Sequence, residues 1–200
     1  VDAGGGSGRL MQRILESHPQ ARGIVLDQSE AFLALAERRL QPFGQRAACR
    51  VSRLQEDWPG QLPEQPAAVV SMTAIHHLDP SEKQVLFQRI YDALTPDGLF
   101  VNGDEVRPES DAEYLSVLME SSEHKRRLMR EGLVPESMHE ILLAWEERNV
   151  TQFSAPRTSG DDCHETIDAQ LRYLQVCGFE RAETVWQKQL WAVMIGVKKA

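Results

Sequence analysis

The sequence predicts an α/β fold built on one doubly wound, mostly parallel sheet. Short apolar runs of strand length alternate with amphipathic helical stretches along the first half of the chain. A glycine-rich turn, Gly4-Gly5-Gly6-Ser7-Gly8, leads from the first apolar residues into the first helix. Two further apolar runs with almost no room between them close the chain, which predicts an antiparallel hairpin at one edge of the sheet.

The first part of the chain is expected to hold three strands and two helices. Ser29 is a typical cap for the second helix, and His18-Pro19 ends the first. The predicted elements are a strand at residues 1–3, a helix at 9–17, a strand at 23–27, a helix at 30–40 and a strand at 48–54. Because a central strand needs about five residues, we expect that the chain lacks its natural N-terminal segment.

The middle of the chain continues the alternation. A fourth strand is predicted at residues 67–72, and Asp79-Pro80-Ser81-Glu82 is a strong helix start with a cap, a proline and an acid in the right places. That helix ends at the turn Thr95-Pro96-Asp97-Gly98, and a fifth strand follows at 99–102.

The last part is more polar and begins with a helical insertion after the fifth strand. We expect the insertion at about 108–150, with helices at 111–131 and 135–149, to cover the carboxyl edge of the sheet within a single domain of residues 1–200. A loop at 154–162, a helix at 163–177 and hairpin strands at 179–187 and 190–198 complete the chain.

Composition excludes several classes of function. The net charge of −8, from 30 acids and 22 bases, argues against a nucleic-acid surface. No apolar run is long enough to span a membrane, and the start does not read as a secretory signal. The three cysteines lack the spacing of a metal or disulfide framework, so we expect free thiols and a cytoplasmic location.

Two acids stand where predicted strands end. Asp27 lies 21 residues after Gly6, a distance typical of a carboxylate that accepts hydrogen bonds from ribose hydroxyls. The alternative is an ordinary acid at a helix start. Asp57 is expected at the end of the third strand, where it could accept the amine of an adenine beside Trp58; the alternative is a turn aspartate next to a proline.

These features together resemble the class I S-adenosylmethionine-dependent methyltransferases, specifically the branch that acts on small molecules. The resemblance rests on the glycine turn, Asp27, Asp57, the segment Ala74-Ile75-His76-His77-Leu78 and the proline-glycine turn before the fifth strand. It implies a Rossmann-like sheet of seven strands, S-adenosylmethionine as cofactor, and methyl transfer by in-line displacement to an oxygen, nitrogen or carbon nucleophile.

The resemblance also implies which residues hold the cofactor. Its amino-acid part would lie against the glycine turn, its ribose and adenine against the two acids, and its sulfonium above the fourth strand. The residues implied are Asp2, Gly4, Gly6, Asp27, Gln28, Asp57, Trp58, Ser71 and Met72. The partner would be a small-molecule acceptor, with no nucleic acid or membrane, and a homodimer is compatible with this reading.

The candidates for catalysis follow the fourth and fifth strands. His77, then His76, could take a proton from the acceptor, and Asp104 with Glu105 face the same crevice in this interpretation. The alternatives are a buried structural histidine, a helix cap and a solvated turn. We expect no metal site, because no third ligand has suitable spacing. A non-catalytic binding module and, less favoured, a nicotinamide-dependent oxidoreductase remain the alternative functions.

Overall fold

The computed structural model describes residues 1–199 and contains one seven-stranded sheet. The strands are β1 (Asp2–Ala3), β2 (Gly23–Asp27), β3 (Ala47–Val51), β4 (Ala68–Met72), β5 (Leu99–Glu105), β6 (Arg181–Lys188) and β7 (Trp191–Val197). Their order across the sheet is β3-β2-β1-β4-β5-β7-β6. The first five are parallel, whereas β7 is antiparallel to both β5 and β6. The doubly wound sheet and its terminal hairpin are thereby confirmed.

Residues 1–199 also form six α-helices. They are α1 (Arg9–Ser17), α2 (Glu30–Leu40), α3 (Pro80–Ala93), α4 (Asp111–Arg130), α5 (His139–Glu146) and α6 (Ile167–Cys177). Helix α3 begins with a capping box, in which the Asp79 carboxylate accepts from the backbone of Ser81 and Glu82 and the Glu82 side chain accepts from the backbone of Asp79. Among the described residues, no helix is both long and apolar enough to cross a membrane.

Alternating side chains of the strands contribute to hydrophobic clusters on opposite faces of the sheet. On one face, Val25 packs with Leu15 of α1 and Leu33 of α2. On the other face, Leu26 and Phe100 pack with helices α3 and α6. The sheet is therefore covered on both sides, as a parallel sheet requires.

Several boundaries differ from the sequence-based expectation, among them the end of β3, which lies at Val51 instead of residue 54. Strand β5 continues to Glu105, because its full length pairs with β7. The helix expected at 163–177 begins only at Ile167, where Thr166 caps it. The second helix of the insertion is shorter than expected, and α5 is flanked by a 3-10 turn at Glu136–Met138 and a π turn at Glu147–Thr151.

The strand order places a topological switch point between β1 and β4. Chain connections leave these neighbouring strands in opposite directions across the sheet, toward β2 and β3 on one side and toward β5 on the other. Open α/β sheets bind ligands in the crevice that forms outside the carboxyl ends of strands at such a point.

Candidate functional site

A cleft of about 590 Å³ lies at this switch point. That volume lies within the ordinary range for small-molecule sites. Its walls are the segments that follow β1, β2, β3 and β4, together with a short piece of a distant loop. The lining includes residues 4–7, 27–29, 52–55, 72–74, 77–78 and 159–160.

The glycine turn forms the floor of the cleft and requires glycine at Gly4. Its φ is +71°, and a Cβ atom there would lie 2.4 Å from the Cβ of Ala74. The backbone N–H groups of Gly4 and Gly5 donate to the carbonyl of Leu26, at 2.8 and 3.0 Å, which binds the turn to β2. The main chain therefore lies open to the cleft, without intervening side chains.

Asp27 sits at the end of β2 and faces this turn. Its Oδ2 accepts from the N–H of Gly6 at 2.9 Å, and its Oδ1 accepts from the N–H of Ser29 at 2.8 Å. Each carboxylate oxygen retains acceptor capacity. The side chain is thus fixed in position and lines the cleft, with the exposed Gln28 next to it.

Asp2 brings a buried carboxylate to the cleft. The residue is fully buried, and neither carboxylate oxygen has a hydrogen-bond partner within residues 1–199. Burial raises the pKa of Asp2 to about 6. Burial of an unpaired carboxylate costs free energy. A cationic group of a ligand in this cleft would lower that cost by pairing with Asp2.

The expected positions of Asp57 and Trp58 are wrong. Strand β3 ends at Val51, so the wall beside Asp27 consists of residues 52–55. Asp57 instead lines a separate, open depression against Arg89 and Asp92. Trp58 is 1% exposed and packs in the hydrophobic core, because the chain turns inward there to cover helix α3.

Ser71 and Met72 at the end of β4 occupy different environments. The Ser71 hydroxyl is buried and donates to the carbonyl of Ala3 at 2.7 Å, which ties β4 to β1. Met72 is half-exposed and lines the cleft. Only Met72 can contact a ligand there directly.

The two histidines after β4 point in different directions. His77 is half-exposed and lines the cleft, and its Nδ1 lies 3.6 Å from Oδ1 of Asp162. His76 is buried, and its Nδ1 lies 2.6 Å from Oδ1 of Asp104, whose Oδ2 accepts the backbone N–H of His76 at 3.0 Å. Burial lowers the pKa of His76, but the hydrogen bond and charge of Asp104 outweigh this, so the pKa lies above its usual value.

Asp104 and Glu105 belong to β5 itself rather than to a turn after it, which corrects the expectation for both. Asp104 is 1% exposed and does not line the cleft; it holds the turn that carries His76. Glu105 extends toward His164, with 3.3 Å between its Oε2 and the Nε2 of His164. Burial raises the pKa of Glu105.

Sequence reasoning missed the residues that approach His76 from the loop before α6. Asp162, His76 and His164 each offer a ligating atom within 4.8 Å of the others. His164 is buried, and burial together with the nearby His76 lowers its pKa to about 4. The expectation of a helix from Cys163 concealed this loop, although the pair Asp162 and His164 was visible as a carboxylate and an imidazole two residues apart.

The sequence matches a protein-family model and is similar to a characterised enzyme. A family model described as a methyltransferase domain matches residues 1–100. Phenazine-1-carboxylate N-methyltransferase of Pseudomonas aeruginosa is 32% identical over 118 residues, which cover 59% of this chain and 34% of that protein.

Solved structures show the same fold at low identity. An O-methyltransferase family protein from Burkholderia thailandensis gives a TM-score of 0.68 at 14% identity, over 100% of this chain and 50% of that one. Human N-acetylserotonin methyltransferase, solved with its cofactor, gives 0.63 at 16% identity, over 100% of this chain and 47% of that one. The chain therefore spans about a third to a half of the proteins it matches.

Proposed function

Because the chain belongs to the methyltransferase-domain family, we propose that it transfers a methyl group from S-adenosylmethionine to a small molecule. The observation that carries the proposal is that two acids, Asp2 and Asp27, line the same cleft beside the glycine turn. The Asp2 carboxylate is buried and has no hydrogen-bond partner within residues 1–199. These two acids offer partners for an ammonium group and for ribose hydroxyls in one cleft. The methyltransferases similar to this chain support the same reading.

The residues present fit this cofactor. Asp2 would pair with its ammonium group, the main chain of Gly4 and Gly6 would lie against its amino-acid part, and Asp27 would accept from its ribose, with Gln28 alongside. Residues 52–55 replace Asp57 and Trp58 as the wall for the adenine. Met72 would lie near the sulfonium, whereas Ser71 acts by joining β4 to β1.

The chain has little covalent chemistry to perform. When bound, the cofactor supplies an electrophilic methyl group. The protein must hold the acceptor in line with that group, and orientation of reactants alone contributes a large effective molarity. Where the acceptor is a hydroxyl or a protonated amine, a base must also take its proton.

His77 is the residue we assign as that base. It lines the cleft, and its Nδ1 lies 3.4 Å from the carbonyl oxygen of Asp161 and 3.6 Å from Oδ1 of Asp162, so donation from Nδ1–H would hold the ring and leave Nε2 to act as the base. His76 and Asp104 act as positioning residues in this proposal, because their hydrogen bonds hold the turn from which His77 projects. The unpaired thiols of Cys49, Cys163 and Cys177 support action in a reducing compartment such as the cytoplasm.

Isothermal titration with S-adenosylmethionine and with its demethylated product tests the proposal. The chain offers a matched pair of variants, Asp27→Asn in the cleft and Asp57→Asn outside it. Loss of charged hydrogen bonds in Asp27→Asn is expected to weaken binding about 10- to 100-fold, whereas Asp57→Asn should bind like the wild type. Absence of binding heat and of thermal stabilisation with either ligand would contradict the proposal, as would equal effects of the two variants.

A further inference from the structure

We infer that His76, Asp162, His164 and Glu105 form a binding site for one transition-metal ion of the zinc class. One ligating atom from each of His76, Asp162 and His164 lies within 4.8 Å of the other two. Glu105 lies outside that group of three but brings its Oε2 to 3.3 Å from Nε2 of His164. Two imidazoles with carboxylates are a ligand set that suits Zn²⁺ and its neighbours, whereas Mg²⁺ and Ca²⁺ prefer oxygen ligands alone.

The spacing of these atoms suits a single ion. Ligands at about 2.0–2.2 Å from a tetrahedral zinc lie roughly 3.3 Å from one another. Nε2 of His164 and Oε2 of Glu105 are already 3.3 Å apart. Nε2 of His76 and Oδ1 of Asp162 are 4.0 Å apart, so that pair needs only a modest inward movement.

The surrounding hydrogen bonds orient each ligand. Nδ1 of His76 is engaged by Asp104 and Nδ1 of His164 by the hydroxyl of Tyr114, so that Nε2 of each ring faces the cluster. Oδ2 of Asp162 accepts from Trp145 Nε1 and Asn149 Nδ2, both at 3.0 Å, so its Oδ1 is the oxygen that lies toward the imidazoles of His76 and His77. Partners of this kind fix the ring orientation of histidine ligands in metal sites.

Two further observations point to a cation. The His164 side chain is 1% exposed, yet its Nε2 makes no hydrogen bond within residues 1–199. The carboxylates of Asp104, Glu105 and Asp162 also meet around the imidazoles of His76, His77 and His164. The nearby ammonium of Lys125 lies over the ring of Trp145, and in the described chain it forms no ion pair with them. Buried negative charge of this kind is stabilised by a metal ion.

Such an ion would join three separate parts of the chain. His76 follows β4, Glu105 ends β5, and Asp162 and His164 belong to the loop before α6. That loop supplies Ser159 and Gly160 to the wall of the cleft, and Asp162 lies beside His77. The ion would therefore fix one wall of the cleft and the carboxylate that faces His77.

The test uses the whole chain after removal of metal with a chelator. Zn²⁺ is titrated by calorimetry, and Co²⁺ is titrated by its visible absorption. One equivalent is expected to bind, to raise the melting temperature and to give the bands of tetrahedral cobalt. His164→Ala should lose more than about 100-fold in affinity, and Tyr114→Phe, which removes only the partner of a ligand, about 10- to 100-fold.

His124→Ala is the matched control, because it removes an exposed imidazole on α4 outside the cluster; it should bind metal like the wild type. Circular dichroism establishes that each variant is folded. Should His164→Ala fail to fold, Tyr114→Phe and Glu105→Gln decide: a loss of tenfold or more in either supports the site. No stoichiometric binding to the wild type, or unchanged affinity in the folded cluster variants, overturns it.

Discussion

The carboxylate of Asp2 links cofactor affinity to pH in the proposed site. The group is buried with a pKa raised to about 6, so below this pH it is protonated and neutral. An ammonium group of the cofactor needs the ionised form, and affinity should therefore be greatest above about pH 6 and fall by up to about tenfold per pH unit below it. Calorimetric titration from about pH 7.5 down to about pH 5 measures this trend.

Asp2→Asn provides the control for that experiment. An amide carries no charge at any of these pH values, so the variant should bind more weakly at neutral pH and show a much flatter dependence. Wild-type affinity that stays constant across the same range would mean that Asp2 does not pair with the cofactor.

Asp27 and Asp57, predicted to contact the ribose and the adenine of the cofactor, show why the position of one residue can be predicted from sequence and that of another cannot. Asp27 closes β2, an apolar strand whose end is marked by the following Ser29 cap, so its position could be predicted. Asp57 is expected just after a predicted strand, residues 48–54, that contains two arginines and whose end is not marked in the sequence. Pairing with β2 stops at Val51, and the chain beyond then follows the packing of Trp58, which local sequence does not encode.

At the scale of elements, the loop before α6 was the main error. The sequence predicts a helix from Cys163 to Cys177, but Cys163 instead donates its backbone N–H to the carbonyl of His76 at 2.8 Å. Gly160 likewise donates to the carbonyl of His77 at 2.8 Å. These contacts join residues more than eighty positions apart, and tertiary contacts of this kind override a local helical pattern.

Thr166 marks the true start of α6 and permits a stability test. Its hydroxyl accepts from the N–H of Ala169 at 3.2 Å. Thr166→Ala should lower the free energy of unfolding by about 1 kcal/mol, since it removes the cap, whereas Thr166→Ser should retain most of it. Urea denaturation measures both values. If the two substitutions have equal effects, the hydroxyl does not contribute through capping.

At the scale of the whole molecule, the cleft lies at the carboxyl ends of β1 to β4, and the hairpin strands β7 and β6 lie on the far side of β5. The alternation of strands and helices, and the tight terminal hairpin, could be predicted because each depends on local periodicity and chain length. The cluster of His76, Asp162 and His164 could not, because its members come from segments that meet only once β4, β5 and the loop before α6 have packed together.

This separation predicts where cofactor binding slows amide hydrogen exchange. Protection should increase in residues 4–7, 27–29, 52–55, 72–74 and 77–78, which surround the cleft at the carboxyl ends of β1 to β4. Binding stabilises the closed forms of segments that contact the ligand. Strands β6 and β7 lie at the opposite edge from β3 and should be unchanged. Exchange mass spectrometry with the demethylated cofactor measures this, and protection centred on the Asp57 depression instead would place the nucleoside outside the switch point.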